Sequence, residues 1–127
     1  MHSSTVYMSS EPDTAGRFAL SPETSEWLFA SSFWQRANAE LGTVFDQYEE
    51  EEACPTVLCS FLPLLEKVVA EVRSLDRSRI EFVRGWDAKG AALKAHVARS
   101  ALLAELMRLQ EFVSTACAQG KTLVFEL

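Results

Sequence analysis

The chain is poor in the residues that several functional classes depend on. Its 127 residues include two histidines, three cysteines, five glycines and four prolines. So few glycines and prolines, with no repeated segment, exclude collagen-like and solenoid architectures. No stretch reaches the roughly 18 uncharged apolar residues of a membrane span. The phosphate-cradling G-x-G-x-x-G and Walker loops are absent, and Gly85 and Gly90 stand isolated. No Glu-x-x-His pair is present, which removes the carboxylate-bridged di-iron bundle. Cys54 and Cys59 have four residues between them, which is neither a redox C-x-x-C nor a complete zinc set. His96, with Ala92 and Arg99 as its helical neighbours, is read as a hydrogen-bonded boundary side chain. No catalytic residue, cofactor or metal is therefore expected.

The same poverty bears on location. Residues 1–10 carry neither the basic start nor the apolar run of a secretory signal. Three cysteines leave at least one thiol unpaired within a monomer, so Cys54, Cys59 and Cys117 are expected as free, largely buried thiols in a reducing cytoplasm.

What is abundant is apolar and acidic. Hydrophobic residues make up 48% of the chain, too many for a disordered protein, and its length suits one domain with its own core. Charge is uneven. Residues 1–52 hold ten acids against two bases, Arg17 and Arg36, while residues 73–99 hold seven bases against three acids. Either the two regions complement each other internally or one of them faces a partner of opposite charge.

The spacing of apolar residues predicts an all-α fold, an antiparallel bundle of three long helices, or four if the third breaks near Gly85–Gly90. Residues 1–19, rich in turn-formers, are expected as a flexible tail, and residues 20–127 as a single helical domain. Ser21 and Pro22 supply a helix start. Trp27, Ala30, Trp34, Ala37, Leu41, Val44 and Tyr48 then recur at steps of three and four, which predicts a helix of about 30 residues. Pro55 opens a second helix whose seam is Leu58, Phe61, Leu65, Val68, Val72 and Leu75, with Pro63 an awkward residue inside it. A joint is expected at 76–78, with 85–87 as its rival. The third helix should run from about Arg79 to Gln119, with Ala92, Ala95, Leu102, Leu106, Leu109, Val113 and Ala116 along its seam and Gly120 as its stop. Thr122–Leu127 reads as a short extended segment.

Two features invite a partner. Glu49, Glu50, Glu51 and Glu52, preceded by Asp46, fall where the first helix should end, and carboxylates are unfavourable at the negative end of the dipole by about 0.3–1 kcal/mol each. They form either a solvated helix end or a docking surface for a basic protein. Trp27, Phe29, Phe33 and Trp34 give the first helix apolar character on both sides, to be covered within the chain, by a second copy in a homodimer, or by a partner. These readings make Asp46, Glu49–Glu52, Trp27, Phe29 and Phe33 the expected partner-binding residues. A small acidic helical protein without a catalytic constellation fits a non-enzymatic inhibitor of the bacterial immunity or antitoxin kind, one that masks a more basic toxin or effector. The alternative is a secretion chaperone or adaptor holding an export substrate. A thiol-dependent enzyme and a nucleic-acid module rank below both, the latter because a pI near 4.9 opposes a polyanion at distance.

Overall fold

Pro55 opens and Gly120 closes the stretch that holds two long helices, with two strands between them. The computed structural model describes residues 2–10 and 16–127. In chain order the elements are β1 (Thr5–Met8), β2 (Phe18–Ala19), α1 (Pro22–Ala30), α2 (Phe33–Leu41), β3 (Glu50–Ala53), α3 (Pro55–Arg73), β4 (Arg79–Trp86), β5 (Ala92–Ala98), α4 (Arg99–Gln119) and β6 (Leu123–Glu126). The fold is mixed α/β with two antiparallel sheets, which overturns the expected all-α bundle.

The helices α3 and α4 follow the apolar period closely. Leu58, Phe61, Leu65, Val68 and Val72 are buried along α3, and Leu102, Leu106, Leu109, Val113 and Ala116 along α4. Leu75 lies beyond the end of α3 and is exposed. Pro63 is accommodated because it sits on the solvent side of α3, where the carbonyl that lost its N–H partner can turn to water. Gly120 closes α4 in the left-handed region, at φ +64°, a conformation that costs glycine nothing. The two helices run antiparallel, so the start of α3 meets the end of α4. There Cys59 and Cys117 are disulfide-bonded with Cα atoms 5.4 Å apart, and Cys54 is the free, exposed cysteine. The expectation of three unpaired, buried thiols is thereby corrected.

The predicted long first helix is two nine-residue helices. Ser32 adopts φ +63°, a left-handed conformation that no continuous helix contains, and Ser31 turns its hydroxyl back to the Leu28 carbonyl at 3.2 Å. Gly42 at φ +68° then ends α2. Val44 and Tyr48, which continued the seam on paper, lie in a loop and are exposed.

Residues 79–98, expected as the start of the third helix, depart furthest from the all-α expectation. They form the β4–β5 hairpin. Ile80, Phe82, Leu93, Ala95 and Val97 alternate with polar residues at a period of two, the spacing of a strand with one covered face. Asp87 makes the turn by accepting the N–H groups of Lys89 and Ala91 at 2.8 and 2.9 Å, with Gly90 at φ +80°. A bulge between Val83 and Gly85 leaves Arg84 without a cross-strand partner. The 76–78 and 85–87 alternatives for the joint are both breaks: the first separates α3 from β4, and the second enters the hairpin turn.

The four-stranded sheet has the order β2-β1-β6-β3, all antiparallel. Residues 5–8 and 18–19, expected as tail, supply two of its strands, while Met1 and residues 11–15 lie outside the described residues. The C-terminal segment becomes the inner strand β6. Val6, Leu123, Phe125 and Ala53 face inward, and Phe125 meets an aromatic group made of Trp34, Phe45 and Phe61. Trp34 stacks on Phe61 with centroids 5.9 Å apart. At about 1.5–3 kcal/mol for each fully buried large side chain, this cluster outweighs the partly exposed Arg17–Glu126 and Arg36–Glu71 ion pairs, each of which contributes about 0–1 kcal/mol.

A buried carboxylate ties the layers together. Glu105 on α4 accepts from the Ser21 N–H at 2.7 Å, the Ser21 hydroxyl at 2.8 Å and the Thr24 hydroxyl. Ser21 is the N-cap of α1, so this carboxylate anchors the positive end of that helix. Helix α1 in turn packs against the hairpin.

Candidate functional site

The acidic run is an edge strand, not a helix terminus. Glu50–Ala53 pairs with β6 in the register Glu50↔Glu126, Glu51↔Phe125, Glu52↔Val124 and Ala53↔Leu123. The Leu127 N–H donates to the Glu49 carbonyl at 3.0 Å. Antiparallel alternation then turns the main-chain groups of Glu51 and Ala53 toward β6, and those of Glu50 and Glu52 toward the open edge. Glu50 and Glu52 also share the outer face of the sheet with Glu126 and Val124.

The approach to this edge is held by specific bonds. Asn38 accepts from the Phe45 N–H and the Thr43 hydroxyl and donates to the Phe45 carbonyl, each at 2.8 Å. Glu26, itself buried, accepts from Gln47 Nε2 and from the His2 N–H, all at 3.3 Å. Tyr48 sits at φ +65°, costly for a side chain of its size, and donates its N–H to the Leu127 carbonyl at 2.6 Å. Its exposed ring lies 4.7 Å from that of His2. Together His2, Ser3, Thr5, Tyr48, Glu49, Glu50, Glu126 and Leu127 line an open cleft of about 310 Å³.

Beside the cleft, Glu126 accepts from the Thr5 hydroxyl at 3.0 Å and pairs with Arg17 at 3.1 Å, and Arg17 also lies 4.1 Å over the Tyr7 ring. Partial burial raises the Glu126 carboxyl, but hydrogen bonds from Thr5, Tyr7 and Arg17, with the Arg17 charge, outweigh it and hold the group below its ordinary value. The Tyr7 phenol is pushed up, first by burial, then by its hydrogen bond to Glu126 and the charges of Glu126 and Glu50, against a smaller opposing pull from Arg17.

Of the expected binding residues, the structure gathers the carboxylates and withholds the aromatics. Asp46, Glu49, Glu50 and Glu52 are exposed, Glu51 is half-buried, and among the described residues none of the five lies within ion-pairing distance of a base. Phe33 is buried in the core, and Trp27 and Phe29 are half-buried against it, so the chain covers the first fully and the other two in part. Tyr48, Glu126, Arg17 and Tyr7 were missed by sequence reasoning. The β-branched and aromatic residues of Thr5–Met8 and Leu123–Glu126 were the signal that could have brought them to one sheet.

The basic residues occupy the hairpin. Arg77, Arg84, Lys89 and Lys94 have no acidic side chain within 4 Å among the described residues, so the acidic and basic regions do not neutralise each other by contact. His96 is exposed on the outer face, with its Nδ1 2.9 Å from the Arg79 guanidinium, which can only donate. Among the described residues no group of three His, Cys, Asp or Glu side chains is placed to hold a metal ion, and no helix is long and apolar enough to cross a membrane. No protein-family model, characterised protein or solved structure matches the chain.

Proposed function

We propose that this chain is a non-enzymatic protein-binding protein that docks a more basic partner on the Glu49–Glu52 edge, as an immunity or antitoxin-like inhibitor does when it covers the working surface of a toxin or effector. The observation that carries this reading is the open edge itself. Among the described residues, Glu50 and Glu52 present unpaired main-chain groups and carboxylates at the same two positions, on a strand held in register by β6. A short acidic edge also discourages pairing between sheets of like charge. A basic extended segment, by contrast, gains both the ladder hydrogen bonds and the charge pairing. Asp46 and Tyr48 extend the surface beside it.

The secretion-chaperone alternative needs an open apolar helix face, and the burial of Phe33 and Trp34 takes away its support. The cytoplasmic setting rested in part on unpaired thiols and loses that ground with the Cys59–Cys117 bond; the binding reading does not depend on it. To test it, a photoreactive group at position 49 identifies the captured protein, and association kinetics with that protein are then followed against salt. Glu50→Lys with Glu52→Lys should leave the circular dichroism spectrum unchanged and slow association by about tenfold or more at low salt. A partner that is acidic, or whose binding ignores both the double reversal and the salt, sinks the reading.

A further inference from the structure

The hairpin β4–β5 offers a second open edge that the acidic-edge reading leaves unused. The Arg99 N–H donates to the Ser78 carbonyl at 2.9 Å, which makes Ser78 and Arg99 a hydrogen-bonded pair. Alternation from there, through the register Ile80↔Val97 and Phe82↔Ala95, directs the main-chain groups of Lys94, His96 and Ala98 away from β4. All three residues are exposed. On β4 the bulge at Arg84 interrupts the corresponding edge, so β5 carries the longer regular one.

Charge selects the occupant. Six bases (Arg77, Arg79, Arg84, Lys89, Lys94 and Arg99) stand against two acids (Glu81 and Asp87) in residues 77–99. Lys94 and His96 lie on one face of the strand, two residues apart. Because Arg79 donates to His96 Nδ1, the proton of the neutral ring is on Nε2, which remains a donor. We propose that the free edge of β5 docks an extended acidic polypeptide, which adds a third antiparallel strand and sets carboxylates at alternate positions opposite Lys94 and His96.

Two other occupants fit less well. A nucleic acid would gain from Trp86, 67% exposed near the turn, but it cannot satisfy a row of main-chain donors and acceptors. A second copy approaching hairpin to hairpin would bring like charges together, and a head-to-tail contact through its Glu50–Glu52 edge would build rings or open chains of copies that sedimentation detects.

The test uses the full chain and a short labelled peptide alternating threonine and glutamate, followed by fluorescence anisotropy. Saturable binding that weakens with salt is expected. It should weaken by at least about fivefold in Lys94→Glu and stay unchanged in Glu50→Lys with Glu52→Lys, which separates this edge from the one in the proposed function. The same peptide N-methylated on its glutamates keeps its charge but cannot donate to the edge, and it should bind the unaltered protein at least about tenfold more weakly. The proposal is overturned if the peptide does not bind, or if the methylated form binds equally well. Tighter binding of a thymidine oligonucleotide would hand the surface to a polyanion. Sedimentation that reveals self-association sensitive to Lys94→Glu would hand it to a second copy.

Discussion

The open edges of β3 and β5 share one geometry and differ in sign and in support. Each turns the main-chain groups of alternate residues outward, Glu50 and Glu52 on one and Lys94, His96 and Ala98 on the other. Edge β3 closes a four-stranded sheet whose inner face rests on Trp34, Phe45 and Phe61, whereas β5 belongs to a two-stranded ribbon seated on α1. A two-stranded ribbon alone is marginally stable, so the hairpin depends on what it leans against. The lesson is that similar edges can be held with different stiffness. The acidic one is built into the core, and the basic one is expected to open locally at lower cost.

Three perturbations press on that difference. Trp34→Ala empties the aromatic group beneath β6 and should cost about 3–5 kcal/mol in denaturant unfolding. Trp34→Phe should cost much less, because the buried Nε1 of Trp34 has no hydrogen-bond partner among the described residues. Equal losses for the two would mean that the aromatic group is not what supports the sheet edge.

Glu105→Gln weakens the anchor of α1 by replacing a charged acceptor with a neutral one, at about 1.5–3 kcal/mol. Since α1 seats the hairpin, amide exchange should accelerate first in β4 and β5 and least in β3 and β6. Uniform acceleration would erase the contrast between the two edges.

The smallest effect is expected from pH. The folded Glu126 carboxyl lies below its ordinary value of 4.5, so its contribution is fully present above that value and is lost as pH falls through the lower folded one. Tyr7 acts in the opposite sense. Its folded value lies above 10.0, so its contribution is fully present below pH 10.0 and is lost as pH rises through the folded value. Arg17→Met should flatten the acid limb, read as the urea midpoint against pH; an unaltered limb would remove Arg17 from the set of groups holding Glu126 ionised.

How much could be read in advance varied by element. The seams Leu58–Val72 and Leu102–Ala116 were legible because a helix that buries one face repeats its own period in the sequence. The hairpin was not, because Ala92 and Ala95 fit a helical step as well as a strand, and helical seams on both sides encouraged the longer reading. Ile80-Glu81-Phe82 and Leu93-Lys94-Ala95-His96-Val97 did carry the period of two. The carboxylates of the candidate site were visible as a run, but their role as an edge was not. That role depends on β6, more than 70 residues away in the chain.

Local chemistry alone therefore determined the course of α3, the seam and the end of α4, that Ser21 caps a helix, that Gly120 stops one, and that charge divides into an acidic front and a basic middle. These are short-range matters of propensity, capping and composition. Tertiary structure decided that residues 5–8 and 123–126 pair as strands, that Cys59 meets Cys117, that Phe33 is interior, and that Glu50 and Glu52 stand at an open edge. The reason is physical. A strand is completed by hydrogen bonds from a distant segment, and a side chain is buried only by what folds over it, so neither outcome is written in the neighbours of the residue concerned.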